Sequence, residues 1–241
     1  MTAPVSSPSR VALFRMFLSE KTEPQPFYEA LATRTVDALP FALQGARVLD
    51  LGCGGGYYSA ALRSAGATVT SVDFELEELG GPNRAARTTL AADGRKLPFE
   101  AAAFDGVFCS NMLEHSPETS RIFDEIERVL RPGGWAWVSW TNWYSPWGGH
   151  EITPFHYLGA QRGLALHRRL RGEPRKNLPG EGLFPVHVGK TLAEVRRRPR
   201  LRLVDAQPRY YPSQRWIVAV PGLRELLTWN CVLVLERKAA A

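Results

Sequence analysis

The sequence has few cysteines and no long apolar run, and both shortages narrow what the chain can be. Cys53, Cys109 and Cys231 are its three cysteines in 241 residues, an odd number without paired spacing. This indicates neither a disulfide framework nor a zinc site and favours a reducing compartment. The most apolar stretch, 216–235, is interrupted by a Pro-Gly pair and two charged residues, which excludes a membrane-spanning helix there.

The N-terminus also lacks the apolar core of a secretory signal. Residues 1–24 (MTAPVSSPSRVALFRMFLSEKTEP) carry charges from Arg10 onward, so we expect a cytoplasmic protein. With 44% hydrophobic residues, a chain of this length can bury one sizeable core. We therefore expect a single domain over residues 1–241.

Net positive charge is confined to one segment. The net charge is +6, but residues 162–202 hold twelve Arg or Lys against three Glu, which gives +9 there and leaves −3 for the rest. This segment suits an anionic acceptor, or peripheral contact with an anionic membrane through a basic amphipathic helix at about 157–171. A solvated face is the alternative. The basic residues are not interleaved with stacking aromatics, so we expect no nucleic-acid partner.

Apolar runs alternate with helical patterns between residues 46 and 141. Strands alternating with helices indicate a parallel sheet covered on both faces. The pattern predicts a helix over 117–130, where apolar residues recur at helical spacing before a Pro-Gly-Gly stop. The predicted strands lie at about 46–50, 68–73, 88–92, 105–110 and 134–141.

The alternation breaks after residue 141. Residues 142–200 are rich in Trp, Gly, Pro and Arg, which indicates an insertion after the fifth strand. The pattern then resumes with a strand at 201–207, a helix near 214–226 and a strand at 229–236. Ahead of the sheet, a helix over 26–39 begins at a proline, which suits a first helical position.

The stretch RVLDLGCGGGYYS at residues 47–59 runs from an apolar strand into three consecutive glycines. In an open parallel sheet, ligands bind outside the carboxyl ends of the strands, and glycines let them approach the backbone. A tight turn without a ligand is the alternative. A dinucleotide turn needs a small third residue, where this chain has Tyr57, and a phosphate-binding loop needs a Lys-Ser/Thr pair that does not follow.

An acid precedes the glycines, and the turn Asp50-x-Gly52-x-Gly54-x-Gly56 resembles the first motif of class I S-adenosylmethionine-dependent methyltransferases. Within that class, the sequence resembles type 11, which is similar to the ubiquinone and menaquinone biosynthesis methyltransferases. Further matches follow in order. Asp73 ends the second strand, and LPFEAAAFDGVFCSNMLEH and RVLRPGGWAWVSW resemble the family's fourth-strand region and its next helix-turn-strand. The resemblance implies an α/β fold with a Rossmann-like, doubly wound, seven-stranded sheet whose last strand is antiparallel.

The resemblance also implies S-adenosyl-L-methionine as cofactor. In the family, the acid at the position of Asp73 accepts hydrogen bonds from both ribose hydroxyls, and the position of Asp93 touches the adenine edge. The glycine turn would hold the methionyl part, and Asp50 would order that turn. The predicted cofactor-binding residues are Asp50, Gly52, Cys53, Gly54, Gly56, Asp73, Asp93, Gly94 and Asn111.

The segment NWYSPWGGHEITPFHY at 142–157 leaves the fifth strand with several aromatic and titratable residues. Methylating a hydroxyl needs an acceptor for its proton. His150 is the predicted catalytic base, with Glu151 raising its basicity, and His156 is a less favoured candidate. The alternative is that the aromatic residues only pack the insertion and that His150 caps a turn.

A metal ion is not expected. Some relatives bind magnesium through a Glu-x-x-Glu-His motif, and here Asn111, a poorer ligand for a hard cation, occupies the first position.

The sequence therefore predicts a methyltransferase acting on a small-molecule or lipid-like acceptor, with O-methylation favoured. A helical lid over residues 1–44 and a substrate cap over 142–200 would complete it. A nicotinamide-dependent oxidoreductase and a non-catalytic S-adenosylmethionine-binding protein remain the alternatives.

Overall fold

The computed structural model describes residues 10–18, 22–74 and 89–239. The chain divides into two compact units, Met1–Ala92 and Asp93–Ala241. Within the described ranges, none of the helices combines the length and the apolar content needed to cross a membrane.

The first unit alternates helices and strands. Its first two strands are largely buried, as in Val48, Leu49 and Leu51, because both faces of a parallel sheet are covered, whereas its third strand, at the edge of the sheet, is partly exposed. Its elements are α1 (Arg10–Leu18), α2 (Pro24–Asp37), β1 (Arg47–Leu51), α3 (Tyr57–Ser64), β2 (Thr68–Asp73) and β3 (Thr89–Ala91).

The second unit begins with a strand-helix-strand element and ends with an antiparallel hairpin-like pair. Its elements are β4 (Phe104–Ser110), α4 (Thr119–Val129), β5 (Leu130–Thr141), α5 (Ala160–Arg171), α6 (Val188–Arg196), β6 (Leu201–Pro208), α7 (Trp216–Ala219), α8 (Leu223–Leu227) and β7 (Asn230–Arg237). Helix α4 buries its apolar face through Ile122, Phe123, Ile126 and Val129, as the helical spacing predicts.

Seven strands form one sheet in the order β3-β2-β1-β4-β5-β7-β6. Strand β2 pairs in parallel with β1 and with β3, and β4 pairs in parallel with β5. Strand β7 is antiparallel to both of its neighbours, β5 and β6. The predicted α/β class and the antiparallel last strand are therefore confirmed.

The prediction of one continuous helix near 214–226 is wrong. Two short helices, α7 and α8, replace it, and the chain leaves the helical path between them. Pro221 has no N–H to donate, and its ring blocks the preceding turn. Gly222 then adopts a φ of 83°, which reverses the chain direction before α8.

Residues 142–200 have a small core of their own. Trp143, Ile152, Leu164 and Leu183 are buried together there. The basic helix predicted over 157–171 begins later, at Ala160, because Gly159 has a φ of 91° and a short 3-10 turn precedes it. The aromatic and leucine residues of this segment thus serve packing in part.

Candidate functional site

The glycine turn follows β1 directly. Gly52, Gly54 and Gly56 have φ angles of 75°, 45° and 81°, a region that residues with side chains rarely adopt. Gly56 is the N-cap of α3. A Cβ added to Gly54 would meet no atom within 4 Å, so the backbone of the turn borders open space that a ligand can occupy.

Asp73 fixes the position of this turn. Its Oδ2 accepts a hydrogen bond from the Gly54 amide at 2.8 Å. The amides of Gly52 and Cys53 both donate to the carbonyl of Val72, at 2.8 and 3.1 Å. The turn therefore lies against the carboxyl end of β2. Asp73, which is predicted to bind the ribose, is in direct contact with the glycine turn, which is predicted to hold the methionyl part of the cofactor.

Asp50 is buried, with 1% of its surface exposed. Its Oδ2 accepts a hydrogen bond of 2.5 Å from the Ser59 hydroxyl on α3, and Ser59 also lies 2.7 Å from the hydroxyl of Ser71 on β2. Burial raises the pKa of Asp50 to about 7, although the Ser59 hydrogen bond and the charge of Arg63 oppose the rise. Asp50 thus ties β1 to α3 and so orders the turn between them.

Two further predicted cofactor residues, in the second unit, follow β3 in the chain. Asp93 forms a bidentate ion pair with Arg95, whose Nη2 lies 2.7 Å from Oδ2, and this hydrogen bonding holds the pKa of Asp93 below its usual value. Gly94 is buried. Arg95 thus orients the carboxylate of Asp93, and the next residue, Gly94, has no side chain.

Asn111 follows β4 with a φ of 54°, a conformation that asparagine tolerates better than most residues. The backbone amide of Asn111 donates a hydrogen bond to the Ser139 carbonyl at 2.8 Å. Its side-chain Oδ1 accepts a hydrogen bond from the side-chain amide of Asn230 at 2.8 Å. The side-chain oxygen is therefore fixed to β7 at the end of β4.

Three titratable residues meet near the end of β5. One possible ligand atom each of Glu114, His115 and His150 lies within 4.8 Å of the others, and the two imidazole rings pack edge to face with centroids 5.4 Å apart. Glu114 Oε1 accepts the Thr141 amide at 2.9 Å, and His115 Nδ1 lies 2.7 Å from the Gly182 carbonyl. Sequence reasoning missed this cluster, and the absence of a metal ion stays a prediction.

His150, the predicted base, lies on the loop after β5. Its amide donates to the Trp147 carbonyl at 2.9 Å. Its Nε2 is buried and has no hydrogen-bond partner within the described part of the chain. Burial, reinforced by His115, lowers the pKa of His150 to about 4, and the charge of Glu151 offsets this only in part. The imidazole is therefore neutral at physiological pH.

Glu151 makes its direct contacts elsewhere. Its two carboxylate oxygens accept the amides of Arg175 and Lys176 at 2.6 and 3.0 Å, so it fastens that segment to the turn containing His150. Glu151 raises the pKa of His150, in the direction expected, but desolvation of the ring and the neighbouring His115 outweigh it, so the net pKa is lowered.

His156, the less favoured candidate, is fully buried. Its Nε2 lies 3.1 Å from the Ser145 carbonyl, and its ring packs against Trp143 with centroids 5.6 Å apart. A ring enclosed in this way cannot reach an acceptor, so His156 serves the packing of the loop.

Several arginines of the basic insertion are engaged by neighbours. Arg168 pairs with Glu173 at 2.6 Å, and Arg171 lies over the Phe155 ring at 5.1 Å. The leucines of α5 do not form one apolar face, because Leu164 is buried whereas Leu170 is 61% exposed. Contact of this helix with a membrane or an anionic acceptor stays a prediction.

Comparison with known proteins agrees with this geometry. A family model described as a methyltransferase domain matches residues 49–138. An uncharacterized methyltransferase of Mycobacterium avium is 40% identical over 94% of this chain and 94% of its own length. Another, from Mycobacteroides abscessus, is 38% identical over 93% of this chain and 92% of its own.

Solved structures share the fold. An S-adenosylmethionine-dependent methyltransferase from Mesorhizobium loti aligns with a TM-score of 0.57 and 24% identity, covering 87% of this chain and 98% of its own. The [4+2]-cyclase SpnF aligns with a TM-score of 0.58 and 17% identity, covering 88% and 81%. Because one fold can host different reactions, the sequence relatives carry the functional conclusion.

Proposed function

The chain belongs to the family of S-adenosylmethionine-dependent methyltransferases, and on that premise we propose that it methylates a hydroxyl group of a small-molecule or lipid-like acceptor. The observation that carries the proposal is the contact between Asp73 and the Gly54 amide, because it joins the two predicted halves of the cofactor site. S-adenosylmethionine, when bound, supplies a methyl group on a positively charged sulfur.

The chain's own residues then have two tasks. Asp50 and Asp73 hold the turn in the shape that admits the cofactor, and the family resemblance assigns Asp73 to its ribose and Asp93 to its adenine. His150 takes the proton of the acceptor hydroxyl through a ring nitrogen that is neutral at physiological pH. Glu151 keeps the His150 turn in place through the backbone at residues 175–176.

The nature of the acceptor is inferred from the insertion. The loop after β5 carries Trp147, which is 48% exposed, in the same segment as His150, whereas Trp143 is buried in the core of the insertion. An exposed indole in the loop of the proposed base suits an apolar or aromatic molecule. The cluster of arginines in residues 162–202 suits an acceptor with an anionic group. The segment 1–44, whose described part contains α1 and α2, and the insertion 142–200 would act as a lid and a cap that exclude water from the reaction.

Calorimetry separates this proposal from its alternatives. We expect S-adenosylhomocysteine to bind with a micromolar or lower Kd and NADH to give no heat of binding. Binding of NADH instead would favour an oxidoreductase, although Tyr57, which stacks on Tyr28 at 5.7 Å, fills the position where a dinucleotide turn needs a small residue.

The acceptor itself can be identified by mass spectrometry of lipid and small-molecule extracts incubated with the enzyme and isotope-labelled S-adenosylmethionine. A labelled product with the methyl group on oxygen is the expected result. Label on carbon or nitrogen would contradict the hydroxyl assignment, and cofactor binding without any labelled product would favour a non-catalytic binding protein.

A further inference from the structure

Exposed apolar side chains are concentrated in one segment of the second unit. Six of the fourteen residues in 216–229 are large, apolar and at least 36% exposed, and Trp147 is 48% exposed beside them. We call this surface the Trp-Leu patch. It consists of Trp147, Trp216, Val220, Leu223, Leu226, Leu227 and Trp229.

The patch is an ordered surface. The rings of Trp147 and Trp229 pack edge to face with centroids 5.1 Å apart, and Tyr211 packs on Trp229 at 5.8 Å. Tyr211 also donates its hydroxyl proton to the carbonyl of Leu227. Because α7 and α8 are only four and five residues long, they bury Ile217 and Val218 but leave their other apolar residues outward.

The segment that carries the patch has a net positive charge. Residues 209–229 contain three arginines and a single acid, Glu225. Both oxygens of Glu225 accept backbone amides, from Val188 at 3.0 Å and Gly189 at 2.8 Å. Arg215 is 64% exposed and has only a 3.5 Å contact with Asp205. Tryptophan and leucine flanked by arginine are typical of surfaces that enter the interface of an anionic bilayer.

The patch is joined to the loop that carries His150. The backbone amide of Asn142, the first residue of that loop, donates to the Trp229 carbonyl at 3.2 Å, and its side chain donates to the Glu225 carbonyl at 2.5 Å. On the other side, the His150 amide donates to the carbonyl of Trp147. A partner bound to the patch therefore lies against the same loop as the proposed proton acceptor.

We propose that the Trp-Leu patch docks the enzyme on an anionic lipid bilayer and that the methyl acceptor is drawn from that bilayer. The inference rests on the proposed function in taking the acceptor to be lipid-like. A second copy of the chain is a less suitable occupant. In a two-fold contact across the patch, Arg215, the one exposed arginine of residues 209–229, would find no unengaged acid in the same segment of the other copy to pair with.

Vesicle flotation without cofactor or acceptor tests the docking. With vesicles of phosphatidylcholine and phosphatidylglycerol, we expect the full chain to float and the double variant Leu226→Gln/Leu227→Gln to partition at least about tenfold more weakly, because two side chains no longer leave water. Added salt should weaken binding further. Leu90→Gln is the matched control, since Leu90 is an equally exposed leucine on β3, and it should float as the wild type does.

Three results would overturn the proposal. One is failure of the wild type to float. Another is equal flotation of the double variant with an unchanged far-ultraviolet circular dichroism spectrum. The third is a wild-type dimer in light scattering that the double variant converts to a monomer without any vesicle binding by either protein. Neither flotation nor light scattering involves methyl transfer, so a negative result in either would leave the proposed function standing. Loss of turnover on a solubilised acceptor would instead count against the proposed function alone.

Discussion

Replacing Asp73 with alanine is the most direct test of the cofactor site. In the family's arrangement this carboxylate accepts two hydrogen bonds from the ribose of S-adenosylmethionine, and in this structure it also accepts the Gly54 amide at 2.8 Å. A hydrogen bond to a charged group contributes about 1.5–3 kcal/mol. We therefore expect Asp73→Ala to weaken cofactor binding by more than about 1.5 kcal/mol, or over tenfold in Kd.

The same geometry predicts a graded series. Asp73→Asn keeps a carbonyl oxygen that can accept the Gly54 amide but removes the charge, so its Kd should lie between those of the wild type and Asp73→Ala. Titration calorimetry with S-adenosylhomocysteine measures all three values. Asp37→Ala removes an exposed carboxylate on α2 and should leave the Kd unchanged.

One outcome would refute this reasoning. If Asp73→Ala bound the cofactor as the wild type does, the ribose assignment would be wrong. If Asp73→Asn and Asp73→Ala both lost binding together with their thermal unfolding transitions, the loss would report the folding of the turn through the Gly54 contact and not the ribose hydrogen bonds.

Three further predictions concern stability, catalysis and charge. Because burial raises the pKa of Asp50 from 3.8 to about 7, its stabilising effect is complete below pH 3.8 and is lost as pH rises through 7. Asp50→Asn should therefore unfold in urea with up to about 4 kcal/mol more stability than the wild type at pH 8, and equal stability at both pH 4 and pH 8 would contradict this. His150→Ala should lower kcat by about 10²-fold, the lower end of the range for a general base because a base of such low pKa is weak, with little change in cofactor Kd, and the wild-type rate should fall only as pH drops towards 4; wild-type kcat in the variant would eliminate the base. Reversing Arg162 and Arg169, both exposed, to Glu should raise the acceptor KM if the acceptor is anionic, whereas reversing the paired Arg202 should not.

Local features of the fold could be predicted from the sequence. The glycine turn and the buried strands around it follow from side-chain period and from residues that tolerate positive φ. Helix α4 follows from four apolar residues at helical spacing. The helix predicted near 214–226 failed because the apolar period continues through Pro221 and Gly222, while the backbone cannot.

Contacts between distant residues could not be predicted in this way. His150 lies thirty-five residues from His115 in the chain, and only the packing of the insertion brings their rings together. The hydrogen bonds from Ser59 to Asp50 and Ser71 have a weak signal in the sequence, since Ser71 interrupts an apolar strand, but nothing in the sequence pairs it with Ser59. Likewise, Glu151 accepts two backbone amides only because the chain at residues 175–176 folds back next to it, which the sequence does not indicate.

The low pKa of His150 limits which acceptors the proposed mechanism can use. A base whose conjugate acid has a pKa of about 4 holds a proton weakly, so it assists little when the donor is an aliphatic alcohol. Phenolic and enolic hydroxyls are more acidic and need less help, and the enzyme gains most from placing them in line with the sulfonium methyl in a dry site. An aromatic loop suits such acceptors, which do not need a strong base. The proposed hydroxyl acceptor is therefore best sought among acidic, apolar hydroxyl compounds that partition into a bilayer.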